Sequence, residues 1–285
     1  MTQGDVDEMA ATRAQSQGER LTSRPIPAAI KIGAAVGLLF LAIPILGVLV
    51  KAPWSNMTDV LANDSTRQAI WLSLWTSSLT TMIALVIGIP MAFVLARAKF
   101  RGRALARSLV ILPLVLPPVV GGVALLAAFG RSGLVGRPLF EIGSVTIPFT
   151  WVAVVMAQLF VSLPFLVITV EGALRTRGRD LEDAGAVLGL SESKIIMRIT
   201  LPMIRPAIVA GAVLCWARAL GEFGATVTFA GSLPGVTQTL PTDIYYTLAR
   251  DPSEAIALSL ILIAICVLVL WLLRGNWAGQ VITRD

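Results

Sequence analysis

The chain has 285 residues, of which 56% are hydrophobic and only 14% charged, and its mean hydropathy is +0.81. Soluble domains carry about 25% charged residues, so this composition excludes an ordinary soluble domain and places the chain in a bilayer. The formal net charge of +6 does not signal nucleic acid, because the Lys and Arg residues stand in short clusters between apolar runs and form no extended basic face.

No His is present, and Cys215 and Cys266 lie in long apolar stretches without CxxC spacing, so neither a metal site nor a disulfide framework is signalled. Residues 1–26 carry Asp5, Asp7, Glu8, Arg13, Glu19, Arg20 and Arg24 before the first apolar run. That stretch is too long and too mixed for a secretory signal, so it is expected to be a disordered cytoplasmic tail ahead of a retained first helix.

Crossing a hydrocarbon core of about 30 Å takes about 20 apolar residues in a helix. Six runs qualify, at 28–50, 69–96, 108–129, 147–170, 204–230 and 254–273, and lipid favours helices there because it cannot satisfy an open backbone. The expected fold class is all-α, a polytopic protein with six transmembrane helices over residues 27–274 and a second short tail at 275–285. Arg97, Lys99, Arg101, Arg103 and Arg107 lie between the second and third runs. Arg175, Arg177, Arg179, Lys194 and Arg198 lie between the fourth and fifth. The opposite loops hold chiefly Arg67, Arg131, Arg137 and Arg250, so the positive-inside rule puts both termini in the cytoplasm.

Within span two, Ser73, Thr76, Ser77, Thr80 and Thr81 group on one side at three-to-four residue spacing. Such hydroxyls suit either an anion path or close helix packing. In span three, Pro113, Pro117 and Pro118 with Gly121 and Gly122 should kink or break the helix, as a gate hinge or a static bend. Span five carries Arg218 and Glu222 near its middle, where a central ion costs at least about 2.5–3.5 kcal/mol and must face protein or water. Their spacing of four lets them pair on one helical face. Two readings stay open: a structural pair, or an Arg218 that offers positive potential to a passing anion while Glu222 neutralises it at rest.

The loop at 171–203 is too polar to cross the membrane, yet Leu181, Ala184, Val187 and Leu188, then Ile195, Ile196 and Ile199, keep helical spacing. It is expected to be a short helix pair on the cytoplasmic face. It reads Asp183-Ala184-Gly185-Ala186-Val187-Leu188-Gly189, nine residues, then Ile199-Thr200-Leu201-Pro202. An acid near a helix start suits the dipole, small residues allow close approach, Gly189 permits a turn, and Pro202 opens the next span at little cost.

This pattern resembles the EAA loop of the permeases of ABC importers, with Asp183 in place of Glu, Gly185 in place of the second Ala, and Glu182 able to slide into the acidic role. The resemblance implies a type I importer permease in which Glu182, Asp183, Ala184, Gly185, Gly189, Ile199, Leu201 and Pro202 form a loop that docks on a cytoplasmic ATPase. Residues Ala217 to Pro241 and the run Leu112 to Gly121 resemble the molybdate permeases, within the wider group for molybdate, tungstate and sulfate. The likeness runs from about residue 66 onward, and the stretch Gly224 to Gly231 is closer to the molybdate than to the sulfate members.

The resemblance implies a homodimer with the anion path at its interface, an extracytoplasmic oxyanion-binding protein, and ATP-Mg held by the partner ATPase and by no site in this chain. Candidates for the path are Ser73, Ser77, Thr80, Arg218, Glu222, Thr226 and Thr228. A sulfate or thiosulfate permease is the alternative within the group. An ion-coupled secondary transporter would show matching interrupted halves and several central acids, and Glu222 is the only clearly central one. No G-x-x-x-x-G-K-[ST] loop occurs in the sequence, and no catalytic constellation lies within the spans, so the chain is not expected to be an enzyme.

Overall fold

The computed structural model describes residues 27–273, so the tails expected at 1–26 and 275–285 lie outside it. The described residues form helices and connections without a strand. Helix α1, Ala28–Lys51, belongs to a unit of its own that ends at Lys51, and a second unit begins at Ala52. At 1.5 Å per residue, the 24 residues of α1 reach about 36 Å, enough to span.

The second unit contains α2, Met57–Ala62, α3, Asp64–Arg97, α4, Arg103–Val115, α5, Pro118–Phe129, and α6, Gly136–Gly143. It continues with α7, Trp151–Thr176, α8, Asp180–Val187, α9, Glu192–Ile195, and a π-helical turn, Ile196–Thr200. The last elements are α10, Leu201–Leu220, α11, Gly224–Phe229, α12, Leu240–Leu248, and α13, Pro252–Leu273. Among the described residues, five helical stretches are long and apolar enough to cross a membrane: Ala28–Lys51, Asp64–Arg97, Trp151–Thr176, Glu192–Leu220 and Pro252–Val269.

The sixth expected crossing, 108–129, is two half-helices. Its break has a local cause: Leu116 precedes Pro117 and Pro117 precedes Pro118, a residue before proline is driven out of the α region, and both take extended backbone with ψ of 133° and 134°. Pro113 does not break α4 and stays inside it. The fifth expected span, 204–230, is also revised. The helical run begins earlier, at Glu192, and stops at Leu220, after which α11 forms a separate short helix.

Helix α7 packs on both α3 and α10. One core joins Ala84, Ala92 and Leu95 of α3 to Leu166, Val167, Val170 and Leu174 of α7 and to Ile204 and Cys215 of α10. Lipid tails are as apolar as these side chains, so association depends on close packing, which small residues permit. A Cβ added at Gly211 would lie 3.0 Å from Leu166 Cδ1 and 3.3 Å from its Cα. A second core joins Leu125 of α5, Ala153, Val154, Ala157 and Val161 of α7, and Ala225 and Phe229 of α11 with Ala230 after it.

That second core holds the two helix breaks against each other. A Cβ at Gly122 would meet Thr228 Cβ at 2.6 Å and the Ala225 carbonyl at 3.0 Å, and one at Gly224 would meet Pro118 Cβ at 2.8 Å. Glycine at both positions is what lets the interrupted segments touch.

Candidate functional site

The polar segment after α7 folds as the expected pair of short helices, α8 and α9. Helix α8 places three acids, Asp180, Glu182 and Asp183, in its first turn, where the partial positive charge of a helix start favours them. The chain then turns at Gly189, whose φ of +80° only glycine adopts without strain. Gly185 is buried where α8 meets the π turn, and a Cβ there would lie 2.8 Å from Ile199 Cδ1.

The acids divide their work. Glu182 Oε1 lies 3.0 Å from Arg97 Nη2 at the end of α3 and accepts from the Thr200 hydroxyl at 2.9 Å. Asp183 is exposed, as are Ala184, Ala186, Val187 and Leu188. Val187 and Leu188 are 88% and 81% exposed, an apolar tip of a kind that marks a contact surface. Ile199 and Leu201 are half-buried and Pro202 is exposed. Pro202 stands in the first turn of α10 as expected, but it does not open a new helix, because the run continues from α9 through the π turn. A proline that lacks its N–H leaves the backbone ladder incomplete, and a widened turn beside it is the usual accommodation.

The central pair is made. Arg218 Nη1 lies 2.6 Å from Glu222 Oε2, with side-chain exposures of 28% and 1%. The other oxygen of Glu222 accepts the Ala225 N–H at 2.8 Å, so one carboxylate both neutralises Arg218 and caps α11. Thr228 donates to the Gly224 carbonyl at 2.8 Å. Thr226 is fully buried, and its hydroxyl has no partner among the described residues.

The hydroxyls of α3 point into the fold. Thr76 and Thr80 bracket Gln158 of α7: the Gln158 amide donates to Thr76 at 3.2 Å, and Thr80 donates to Gln158 Oε1 at 3.0 Å. Ser73 accepts the Leu240 N–H at 2.7 Å, and Ser77 donates to the Leu74 carbonyl at 3.1 Å. All four are buried; Ser73, Thr76 and Thr80 join α3 to other parts of the chain, whereas Ser77 bonds within α3. Of the hinge candidates, Pro117 and Pro118 stand at the break, Pro113 inside α4, and Gly121 against Phe160, whose Cε1 would lie 3.0 Å from an added Cβ.

Sequence reasoning passed over Gln158, Glu171 and the partnership of Arg97 with Glu182. Glu171 is buried in α7 between Arg175 at 3.0 Å and Arg107 of α4 at 3.6 Å. An acid at the end of an apolar run, with Arg175 four residues on, was the available signal.

Between the spans, buried Asp243 of α12 accepts from Gln238 Nε2 at 2.8 Å and from the Thr247 hydroxyl at 3.3 Å. Burial pushes its carboxyl up from the ordinary value, while the Thr247 hydroxyl, the Arg250 charge and the Gln238 amide pull the other way. The folded chain therefore holds this proton more tightly than the unfolded chain. Its contribution is full below the ordinary carboxylate pKa and is lost as pH rises through the raised one. Asp243→Asn keeps an acceptor for both donors and is expected to flatten that dependence in thermal unfolding measured from roughly pH 4 to 8. An unchanged pH profile would remove Asp243 as its source.

Residues 84–275 match the family described as the binding-protein-dependent transport system inner membrane component. The molybdenum transport system permease protein of Mycobacterium tuberculosis is 47% identical over 244 residues, which is 86% of this chain and 92% of that one. The chain belongs to this family. A second relative, the molybdenum transport system permease protein of Escherichia coli, is 39% identical over 165 residues, covering 58% of this chain and 72% of that one. Among solved structures, the fold matches the bacterial alginate ABC transporter in complex with its alginate pentasaccharide-bound periplasmic protein. The TM-score is 0.70 at 19% identity, over 90% of this chain and 94% of that one. As an inner membrane component of this family, the chain is a multi-pass transport subunit and not an enzyme.

Proposed function

We propose that the chain is the permease subunit of an ATP-driven importer for molybdate, with tungstate as the related cargo. The observation that carries this reading is the 47% identity to a molybdenum permease sustained over 92% of that protein's length. Two copies form the transport path between them, an extracytoplasmic oxyanion-binding protein delivers the anion, and cytoplasmic ATPase subunits hold ATP-Mg. Both termini lie in the cytoplasm, as the basic loops require.

Helix α8 supplies the contact to the ATPase through Val187 and Leu188, with Asp183 beside them. Glu182 is the positioning residue: held between Arg97 and Thr200, it ties α8 to the end of α3 and to the start of α10. A push on α8 therefore reaches two membrane-spanning helices at once, the kind of rigid-body movement that opens and closes a path. Arg218, with its partial exposure, is the group of the central pair best placed to present positive charge to a dianion, and Glu222 holds that charge in check when no anion is present.

The reading is tested by ATP-dependent uptake of labelled molybdate into proteoliposomes containing the chain, its ATPase and its binding protein. Molybdate uptake that resists excess sulfate supports it. Sulfate uptake would transfer the chain to the sulfate group, and uptake without ATP would overturn the importer class.

A further inference from the structure

The end of α3, the turn after it and the start of α4 carry Arg97, Lys99, Arg101, Arg103 and Arg107, and the fold commits three of them. Arg97 pairs with Glu182, Arg107 faces Glu171, and the Arg103 guanidinium donates back to the carbonyls of Leu95 and Ala96. Lys99 and Arg101 are exposed, and neither makes an ion pair among the described residues.

Between these two lies Phe100, which forms part of the wall of a groove of about 640 Å³. Val94 of α3, Leu109 and Pro113 of α4, and Leu163 and Pro164 of α7 continue the wall, and every lining side chain is apolar. The groove's reach is short. It ends on α3 at Pro90, seven residues before Arg97, on α4 at Pro113, ten residues after Arg103, and on α7 at Phe160, eleven residues before the Glu171 that faces Arg107. At 1.5 Å per residue these are depths of about 10, 15 and 16 Å.

A hydrocarbon core is about 30 Å thick, so the groove serves one leaflet. A membrane-spanning helix from a second copy would need a groove through the full thickness, whereas a single acyl chain needs only this depth. The two uncommitted basic groups beside the groove's turn end complement an anionic headgroup, and basic clusters at a membrane border attract anionic lipid.

We infer that the groove holds an acyl chain of an anionic phospholipid from the leaflet bordering this turn, with its phosphate held by Lys99 and Arg101. None of the lining residues is a candidate for the anion path or lies on α8, so the site stands or falls independently of the cargo.

The test uses the full-length chain purified with the partners it retains. Phosphatidylglycerol and phosphatidylcholine are compared by native mass spectrometry, and phosphatidylglycerol with a photoreactive acyl chain maps the contact. The expected result is a roughly 10- to 30-fold preference for phosphatidylglycerol, the effect of two basic groups beside one headgroup, with crosslinks on α3, α4 and α7. Lys99→Gln with Arg101→Gln should abolish the preference while keeping crosslinks from neutral lipid. Val94→Trp, which fills the groove from an exposed position, should abolish the crosslinks. Equal retention of phosphatidylglycerol by the parent and the double variant, or crosslinks confined to other helices, would overturn the assignment. So would a Leu109→Cys disulfide joining two copies of the chain, because it would show that a second copy covers the groove.

Discussion

Glu222→Ala is expected to lower the thermal unfolding midpoint of the purified chain by about 6–12 °C, equivalent to about 3 kcal/mol. The substitution strands the Arg218 guanidinium, which lies 2.6 Å from the lost carboxylate, and frees the Ala225 N–H that it caps at 2.8 Å. The estimate sits at the low end for breaking a buried pair because Arg218 retains 28% exposure and can draw in water. Glu222→Gln keeps an acceptor for the amide and should lose about half as much, since only the charge is removed. If the alanine variant melts with its parent in detergent, the carboxylate is not what holds the break between α10 and α11.

Val187→Asp combined with Leu188→Asp, and separately Asp183→Lys, should reduce ATP-driven uptake about 10-fold or more while leaving the unfolding midpoint unchanged. Both apolar side chains are more than four-fifths exposed, so charge there costs the fold little, whereas an apolar anchor lost from an interface costs about 2 kcal/mol or more. Uptake at the parental rate in both variants would show that α8 is not the contact through which ATP hydrolysis drives transport. A lowered midpoint would instead mean that these residues support the fold itself.

Much of the architecture was legible because membrane insertion is read locally, from the length of an apolar run. The runs at 28–50, 147–170 and 254–273 correspond to α1, α7 and α13 to within a few residues at most of their ends. The Pro117-Pro118 break was legible for the same local reason. The end of α10 at Leu220 left only a weak local signal, Gly221 at its C-cap, and the break is held by Glu222 turning its carboxylate onto the following helix. The motif at 182–202 was readable as a pattern of residue types, but not which of its two adjacent acids faces inward.

The sequence by itself determined the class of protein, the approximate spans and the Arg218–Glu222 pairing, because each follows from contacts or transfer energies within a few residues of chain. Tertiary structure alone decided the roles of the other polar groups. Thr80 meets Gln158 across 78 positions and Ser73 meets Leu240 across 167, contacts that fasten α3 to α7 and to the start of α12. Glu182 meets Arg97 across 85 positions, which makes it, and not Asp183, the link into the spans. A hydroxyl or carboxylate in an apolar surrounding is costly without a partner, and which partner it finds is set by the packing of distant helices.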